Sequence, residues 1–207
     1  MKINKVAVIG AGLMGSGIAA QVANAGFPVT LLDIVPDGAT NRNVIAESAV
    51  RKMLKPVKLG SPAPLMHKKN AKLITTGNID DNLDLIKDAD LIIEVVLERL
   101  DIKHDVFIKI QKHRKKGSIV TSNTSTIPRE QLVKGMSESF AKDFMITHFF
   151  NPPRYLRLLE IVSGSEVSSD KVQIVSDFCD INLGKEVVVC NDTPGFIGNR
   201  IGTYWTL

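Results

Sequence analysis

No apolar run in this chain approaches the length of about eighteen residues that a membrane-spanning helix needs. Nor can the first residues act as a secretory signal, because Met1-Lys2-Ile3-Asn4-Lys5 passes directly into a short apolar run. Cysteine is scarce: Cys179 and Cys190 stand alone, with no Cys-x-x-Cys and no histidine pair at zinc spacing. A disulfide scaffold and a zinc site are thereby excluded, and a cytoplasmic chain with two reduced thiols is expected. Internal repeats and low-complexity segments are absent. One sign of charge is also missing locally. From Arg51 to Lys72 the chain carries Arg51, Lys52, Lys55, Lys58, Lys68, Lys69 and Lys72 without an acidic residue. Such a run is commonly a solvated helical face. Nucleic acid is the weaker alternative, because no aromatic residues interleave to stack bases. A polyanionic small substrate is the third.

What is present suits a packed α/β protein. The 44% hydrophobic content is ample for a core at this length. Short β-rich runs alternate with helical patterns, which predicts βαβ units and a parallel sheet. Strands are expected at Val6 to Gly10, Pro28 to Leu32, Lys72 to Thr75 and Leu91 to Val96. Four more follow at Ser118 to Thr121, Met145 to Phe149, Leu158 to Val162 and Glu186 to Val189. Helices are expected at Met14 to Ala25, 41 to 55, 64 to 71 and Leu100 to Lys115, the last with Ile102, Val106 and Ile110 facing the sheet. The fold class is a doubly wound, mostly parallel Rossmann-type sheet over residues 1–190. Residues 191–207 read as the start of a second, helical unit. Asp192 is expected to cap a helix with Pro194 in its first position, and Ile197, Ile201, Tyr204 and Trp205 then share one side of it. That apolar stripe has no partner within the sequence, so the chain reads as cut off where a second domain begins.

Gly10-Ala11-Gly12-Leu13-Met14-Gly15 is a G-x-G-x-x-G placed directly after a predicted strand and opening a helix. Gly10 permits the tight turn, Gly12 close backbone approach to a pyrophosphate, and Gly15 helix–strand packing. The first N–H groups of that helix, around Leu13 and Met14, face the diphosphate. Asp33 closes the second strand, where a carboxylate accepts the adenosine ribose hydroxyls of NAD and repels the 2′-phosphate of NADP. Methyltransferases also place an acid here, so this motif alone does not establish redox chemistry.

Ligands of an open α/β sheet sit at the carboxyl ends of the strands. Those ends carry Glu98, Asn123, Ser125 and His148. Glu160 lies twelve residues beyond His148, inside the apolar run Leu158-Leu-Glu-Ile-Val162. Asn151-Pro152-Pro153 forces a turn between them, letting one strand fold back on the other. An unpaired buried carboxylate is costly, and His148 is the partner within reach. Alcohol oxidation needs a base for the hydroxyl proton; histidine suits that near neutral pH, and a carboxylate on its other nitrogen fixes the tautomer. His67, His104 and His113 have lysine neighbours and read as solvated.

The stretches VAVIGAGLMGSGIAA, LLDIV, LIIEVVLERLDIK, TSNTSTI, THFFNPPRYLRLLEIV and DTPGFIGNRIG resemble the NAD-binding domain of the L-3-hydroxyacyl-CoA dehydrogenases over nearly the whole chain. The resemblance implies that His148 is the general base and Glu160 its partner, and that Ser125 and Asn199 hold the substrate oxygen. Asn151 would line the acyl-CoA site, and Glu98 and Lys103 would contact NAD. It also implies a following all-helical domain that covers the cleft and forms a homodimer. Arg154, Tyr155 and Arg157 depart from the small or apolar residues of the short mitochondrial-type enzymes. With the Pro-rich insert Pro56 to Pro64, they are similar to the large bacterial fatty-oxidation proteins, in which this domain is fused to others. The implied reaction is oxidation of (3S)-3-hydroxyacyl-CoA by NAD in β-oxidation. The alternatives are 3-hydroxybutyryl-CoA, a free hydroxy acid, or a non-catalytic NAD-binding module. No metal is expected.

Overall fold

The computed structural model describes residues 2–56 and 62–205. Lys58 of the basic run therefore lies outside the described residues. The element order is β1 (Val6–Ile9), α1 (Leu13–Asn24), β2 (Val29–Asp33), α2 (Val44–Met53), β3 (Ile74–Asn78), β4 (Leu91–Glu94), α3 (Leu100–His113), β5 (Ile119–Ser122), α4 (Arg129–Val133), α5 (Glu138–Ala141), β6 (Phe144–Phe149), β7 (Leu158–Ser163), α6 (Ser169–Asp177), β8 (Glu186–Cys190) and α7 (Gly198–Trp205). The strands form one eight-stranded sheet in the order β3-β2-β1-β4-β5-β6-β7-β8. Strands β1 to β6 run parallel; β7 is antiparallel to β6, and β8 is parallel to β7. The order reverses between β1 and β4, so the crevice for a ligand opens at their carboxyl ends.

The central strands β1, β4, β5 and β6 are buried at every position because helices cover both faces of the sheet, while the edge strands β3 and β8 are partly exposed. One face packs Val8, Leu31 and Ile93 against Ile18, Ala19 and Val22 of α1 and Ala46 and Met53 of α2. The other packs Ile9, Ile92 and Val120 against Val106, Phe107 and Ile110 of α3. Gly15 sits where α1 crosses β1 most closely: a Cβ there would stand 1.8 Å from the Gly10 carbonyl oxygen. Gly10 itself has a φ of +111°, and a Cβ on it would strike the Val95 carbonyl. Both glycines are steric necessities.

All eight expected strands form, with β3 displaced to Ile74–Asn78. Two expectations need correction. Residues 64 to 71 do not make a helix; a 3-10 turn spans Lys68–Leu73 instead. Pro62 and Pro64 have no N–H to offer, the Leu65 amide goes to Met53, and the His67 ring accepts from the Lys69 amide to start the tighter turn. In the tail, the helix begins at Gly198 rather than Pro194. Asp192 does not cap it: its carboxylate accepts the Arg129 and Glu130 amides at 2.8 and 3.0 Å and so caps α4. Among the described residues, no helix is long and apolar enough to cross a membrane.

Candidate active site

The crevice between β1 and β4 is lined by the glycine turn. Gly12 is exposed, and a Cβ there would meet nothing within 4 Å, which leaves the backbone open to a ligand. No side chain caps α1, so the first amides of that helix face the opening. Asp33 stands at the end of β2, one oxygen accepting the Ala11 amide and the other the Ile34 amide at 2.7 Å. It therefore braces the glycine turn. An uncapped helix start, an open glycine and a neighbouring carboxylate fit a dinucleotide: diphosphate on the amides, ribose on Asp33.

A second constellation lies where β6 and β7 meet. Their antiparallel register sets His148 directly opposite Glu160. Imidazole Nδ1 is 2.7 Å from Glu160 Oε2, with side-chain exposures of 7% and 1%. The other carboxylate oxygen, Oε1, accepts the amides of Ile197 and Gly198 at 3.0 and 2.7 Å. The buried charge is thus met on both oxygens, and the carboxylate that orients His148 also caps α7. Aromatic rings hold the imidazole on two sides, Phe150 with its centroid at 4.4 Å and Phe196 at 5.7 Å. Phe196 is buried with a φ of +46°, an unfavourable backbone state for a bulky residue. A Cβ at Gly198 would meet the Phe150 ring at 2.7 Å. The sequence Pro194-Gly-Phe-Ile-Gly198 thereby presses a ring onto His148 and aims two amides at its partner.

The third constellation organises the loop after β5. Glu98 gathers it, accepting from the Thr124 hydroxyl, the Ser125 and Thr126 amides and the Thr126 hydroxyl. Burial works to raise the Glu98 carboxyl, but Thr124, the Lys103 charge and the Ser125 amide outweigh it and hold it below the ordinary range. Lys103 is itself sealed in, paired with Glu94 at 2.8 Å and with Glu98 at 3.2 Å. Glu94 is fully buried; burial pushes its carboxyl up by more than Lys103, Ser122 and the Val96 amide pull it down. Asn199 donates to the Ser125 carbonyl at 3.3 Å, so these two come together although they lie 74 positions apart in the chain. Asn123 closes the same corner by accepting the Phe149 amide at 2.9 Å. Glu94 was not singled out from the sequence. A carboxylate inside Leu91-Ile-Ile-Glu-Val-Val96 is the same signal that marked Glu160, and it marks a buried ion pair here.

The model of the 3-hydroxyacyl-CoA dehydrogenase NAD-binding domain matches residues 5–193. The chain belongs to that family. A relative from Deinococcus radiodurans, named "Probable 3-hydroxyacyl-CoA dehydrogenase", is 48% identical over 204 residues, which is 99% of this chain and 58% of that protein. A relative from Rickettsia felis, named "Putative fatty acid oxidation complex trifunctional enzyme", is 45% identical over 203 residues, 98% of this chain and 28% of that protein. The crystal structure of (S)-3-hydroxybutyryl-CoA dehydrogenase PaaH1 from Ralstonia eutropha superposes with a TM-score of 0.75 at 30% identity, covering 97% of this chain and 68% of that one. This chain therefore spans 58% and 28% of the lengths of the two sequence relatives. Membership of the family's NAD-binding domain makes NAD the cofactor of the β1–β4 crevice, in keeping with Asp33 at the end of β2.

Beside the glycine turn lies a cleft of about 1230 Å³ between α1, α2 and the turn that joins β6 to β7. Asn151 and Tyr155 line it from that turn, Ser16 from α1, and Lys52 with Lys55 from the end of α2. Lys68, Lys69 and Lys72 are not among its lining residues. No group of His, Cys, Asp and Glu among the described residues is placed to hold a metal ion.

Proposed function

We propose that the protein oxidises (3S)-3-hydroxyacyl-CoA to 3-ketoacyl-CoA with NAD, as a step of fatty-acid β-oxidation. The observation that carries this reading is the buried His148–Glu160 pair at the carboxyl end of the same sheet that binds the dinucleotide. NAD, when bound, supplies the hydride acceptor. With Nδ1 committed to Glu160, Nε2 is the nitrogen left to take the hydroxyl proton. Glu160 then stabilises the imidazolium that forms, without itself taking the proton. Ser125 and Asn199 hold the substrate oxygen, and the hydrogen bond between them supports a shared task. Asn151 lines the acyl-CoA cleft. Glu98 meets the cofactor, while Lys103, sealed at 1% exposure, bears on it by holding Glu98 in place.

The basic residues serve the CoA nucleotide through Lys52 and Lys55, which flank the cleft. A second reading, a short-chain 3-hydroxybutyryl-CoA dehydrogenase, is favoured by the Ralstonia eutropha relative. Incubating the full protein with NAD and 3-hydroxyacyl-CoA thioesters of four and sixteen carbons, and following nicotinamide absorbance, tests both. No turnover with either thioester refutes the reaction, and turnover of the short thioester alone favours the second reading.

The family match ends at residue 193, which supports dividing the chain into an NAD-binding domain (1–190) and the start of a helical domain (191–207). We assign a homodimer to that helical domain and a cytoplasmic address to the protein. Fusion to other β-oxidation domains accords with the much longer Rickettsia relative. Both thiols are free and buried, and burial pushes Cys179 up to about 12 and Cys190 to about 11, which makes them poor nucleophiles.

A further inference from the structure

Lys185 precedes β8, and its side chain is fully buried at 1% exposure. Among the described residues it forms no ion pair. Its ammonium donates instead to two backbone carbonyls, Pro153 and Leu156, and lies 5.7 Å from the Phe149 ring centroid. Burial draws its pKa below the ordinary lysine value, and the neighbouring Cys179 works the other way. A buried ammonium without a counter-charge is costly, and an apolar side chain would fill the space more cheaply. What its acceptors do is therefore informative. Both belong to the turn that joins β6 to β7 and forms one wall of the large cleft.

The last residue of that turn is tied to β8, where the Glu186 amide donates to the Arg157 carbonyl at 2.8 Å, but its tip has few amides of its own to offer. Pro152 and Pro153 have no N–H, and the Tyr155 and Leu156 amides both close on the Pro152 carbonyl. Three further contacts fix the tip from outside. The Pro153 ring lies against Gly17 of α1, where a Cβ would meet Pro153 Cδ at 2.9 Å. The Arg154 guanidinium reaches the Ala63 carbonyl across the cleft. Lys185 takes the Pro153 and Leu156 carbonyls, and of these three contacts it is the one that enters from the β8 side, immediately before the strand paired with β7.

We propose that Lys185 is a positioning residue for substrate: its ammonium sets the height of the Asn151–Tyr155 wall and thereby the affinity for acyl-CoA. The proposal rests on the acyl-CoA reading of the cleft. In the full protein, Lys185→Met keeps the volume and removes the donors. It should raise KM for acyl-CoA about tenfold or more, leaving KM for NAD and kcat within about twofold, because a misplaced binding wall is felt where binding is felt. Lys185→Arg, which keeps the charge and reaches both carbonyls, should recover most of the loss.

An unchanged acyl-CoA KM in a folded Lys185→Met protein overturns the proposal. So does an equal loss in both KM values and kcat that Arg does not rescue, which would mark Lys185 as a general structural support. If Lys185→Met does not accumulate, Lys185→Gln, which can serve one carbonyl, carries the same expectation at about threefold; failure of both to fold also overturns it. An inactive unaltered protein instead refutes the acyl-CoA reading itself, so the two failures are distinguishable.

Discussion

Glu160→Gln exchanges one oxygen for an NH2 group at constant volume, so hydrogen-bond donors and acceptors decide its effect. In the native chain one oxygen receives the Ile197 and Gly198 amides and the other receives His148 Nδ1. Glutamine has a single acceptor oxygen. Turned so that its NH2 faces α7, it opposes two backbone donors and leaves both unpaired, at about 1–3 kcal/mol each. Turned the other way it keeps those amides, and its NH2 faces Nδ1. That nitrogen must then be unprotonated, which places the imidazole proton on Nε2, the atom needed free as the base. The second arrangement is the cheaper one and is the catalytically dead tautomer.

Turnover of the full protein should fall by about 10²–10⁴, the usual share of a positioned and correctly protonated base. NAD affinity by calorimetry should stay within about twofold, since the β1–β4 crevice is untouched. Adding His148→Gln should cost little further, because the two residues act as a unit. Glu160→Gln with kcat within about threefold of native would refute the tautomer reasoning.

Asp33→Ala should weaken NAD about ten- to a hundredfold through lost charge-assisted hydrogen bonds, and calorimetry showing NADP binding the native protein as tightly as NAD would contradict the assignment. Gly12→Ala should leave thermal stability nearly unchanged, since its Cβ meets nothing, yet weaken NAD by at least about tenfold because the diphosphate needs that space. Gly15→Ala, whose Cβ would lie 1.8 Å from a backbone oxygen, should instead lower the melting temperature markedly. Reversing Lys52 and Lys55 to Glu should raise KM for acyl-CoA but not for an N-acetylcysteamine thioester; equal effects on both substrates would make the basic run a solvated surface only.

The sheet was legible because central strands covered on both faces must be largely apolar, as β1, β4 and β5 are buried at every position, whereas the edge strands β3 and β8 are partly exposed. The His148–Glu160 pair was legible for a related reason: a carboxylate between Leu159 and Ile161 has to have a partner, and the proline turn left little choice. Glu94 obeyed the same rule and was passed over, and Lys103, expected to contact NAD, is instead among the most buried residues of α3, paired with Glu94. The short α4 and α5 have too few turns to show a period. Asp192 illustrates a deeper limit. Sequence places it beside the tail helix, but its acceptor oxygens are used by α4, sixty-two and sixty-three positions away along the chain. Lys185 gave no signal either, since its partners are backbone carbonyls, which sequence does not distinguish.

The reversal of β7 has a consequence of its own. In strands, odd and even positions face opposite sides of a sheet, so a one-residue change in the length of the β6–β7 turn inverts every side chain beyond it. One inserted residue would present Leu159 to the imidazole and turn Glu160 away; two would restore the face but displace the carboxylate by about 7 Å. The acid–base pair is thus set by parity. Chain length in this turn is not a quantity that can drift gradually, although the same turn shapes the substrate wall. This wall of the cleft is therefore reshaped through the identity of residues 151–157 more readily than through their number.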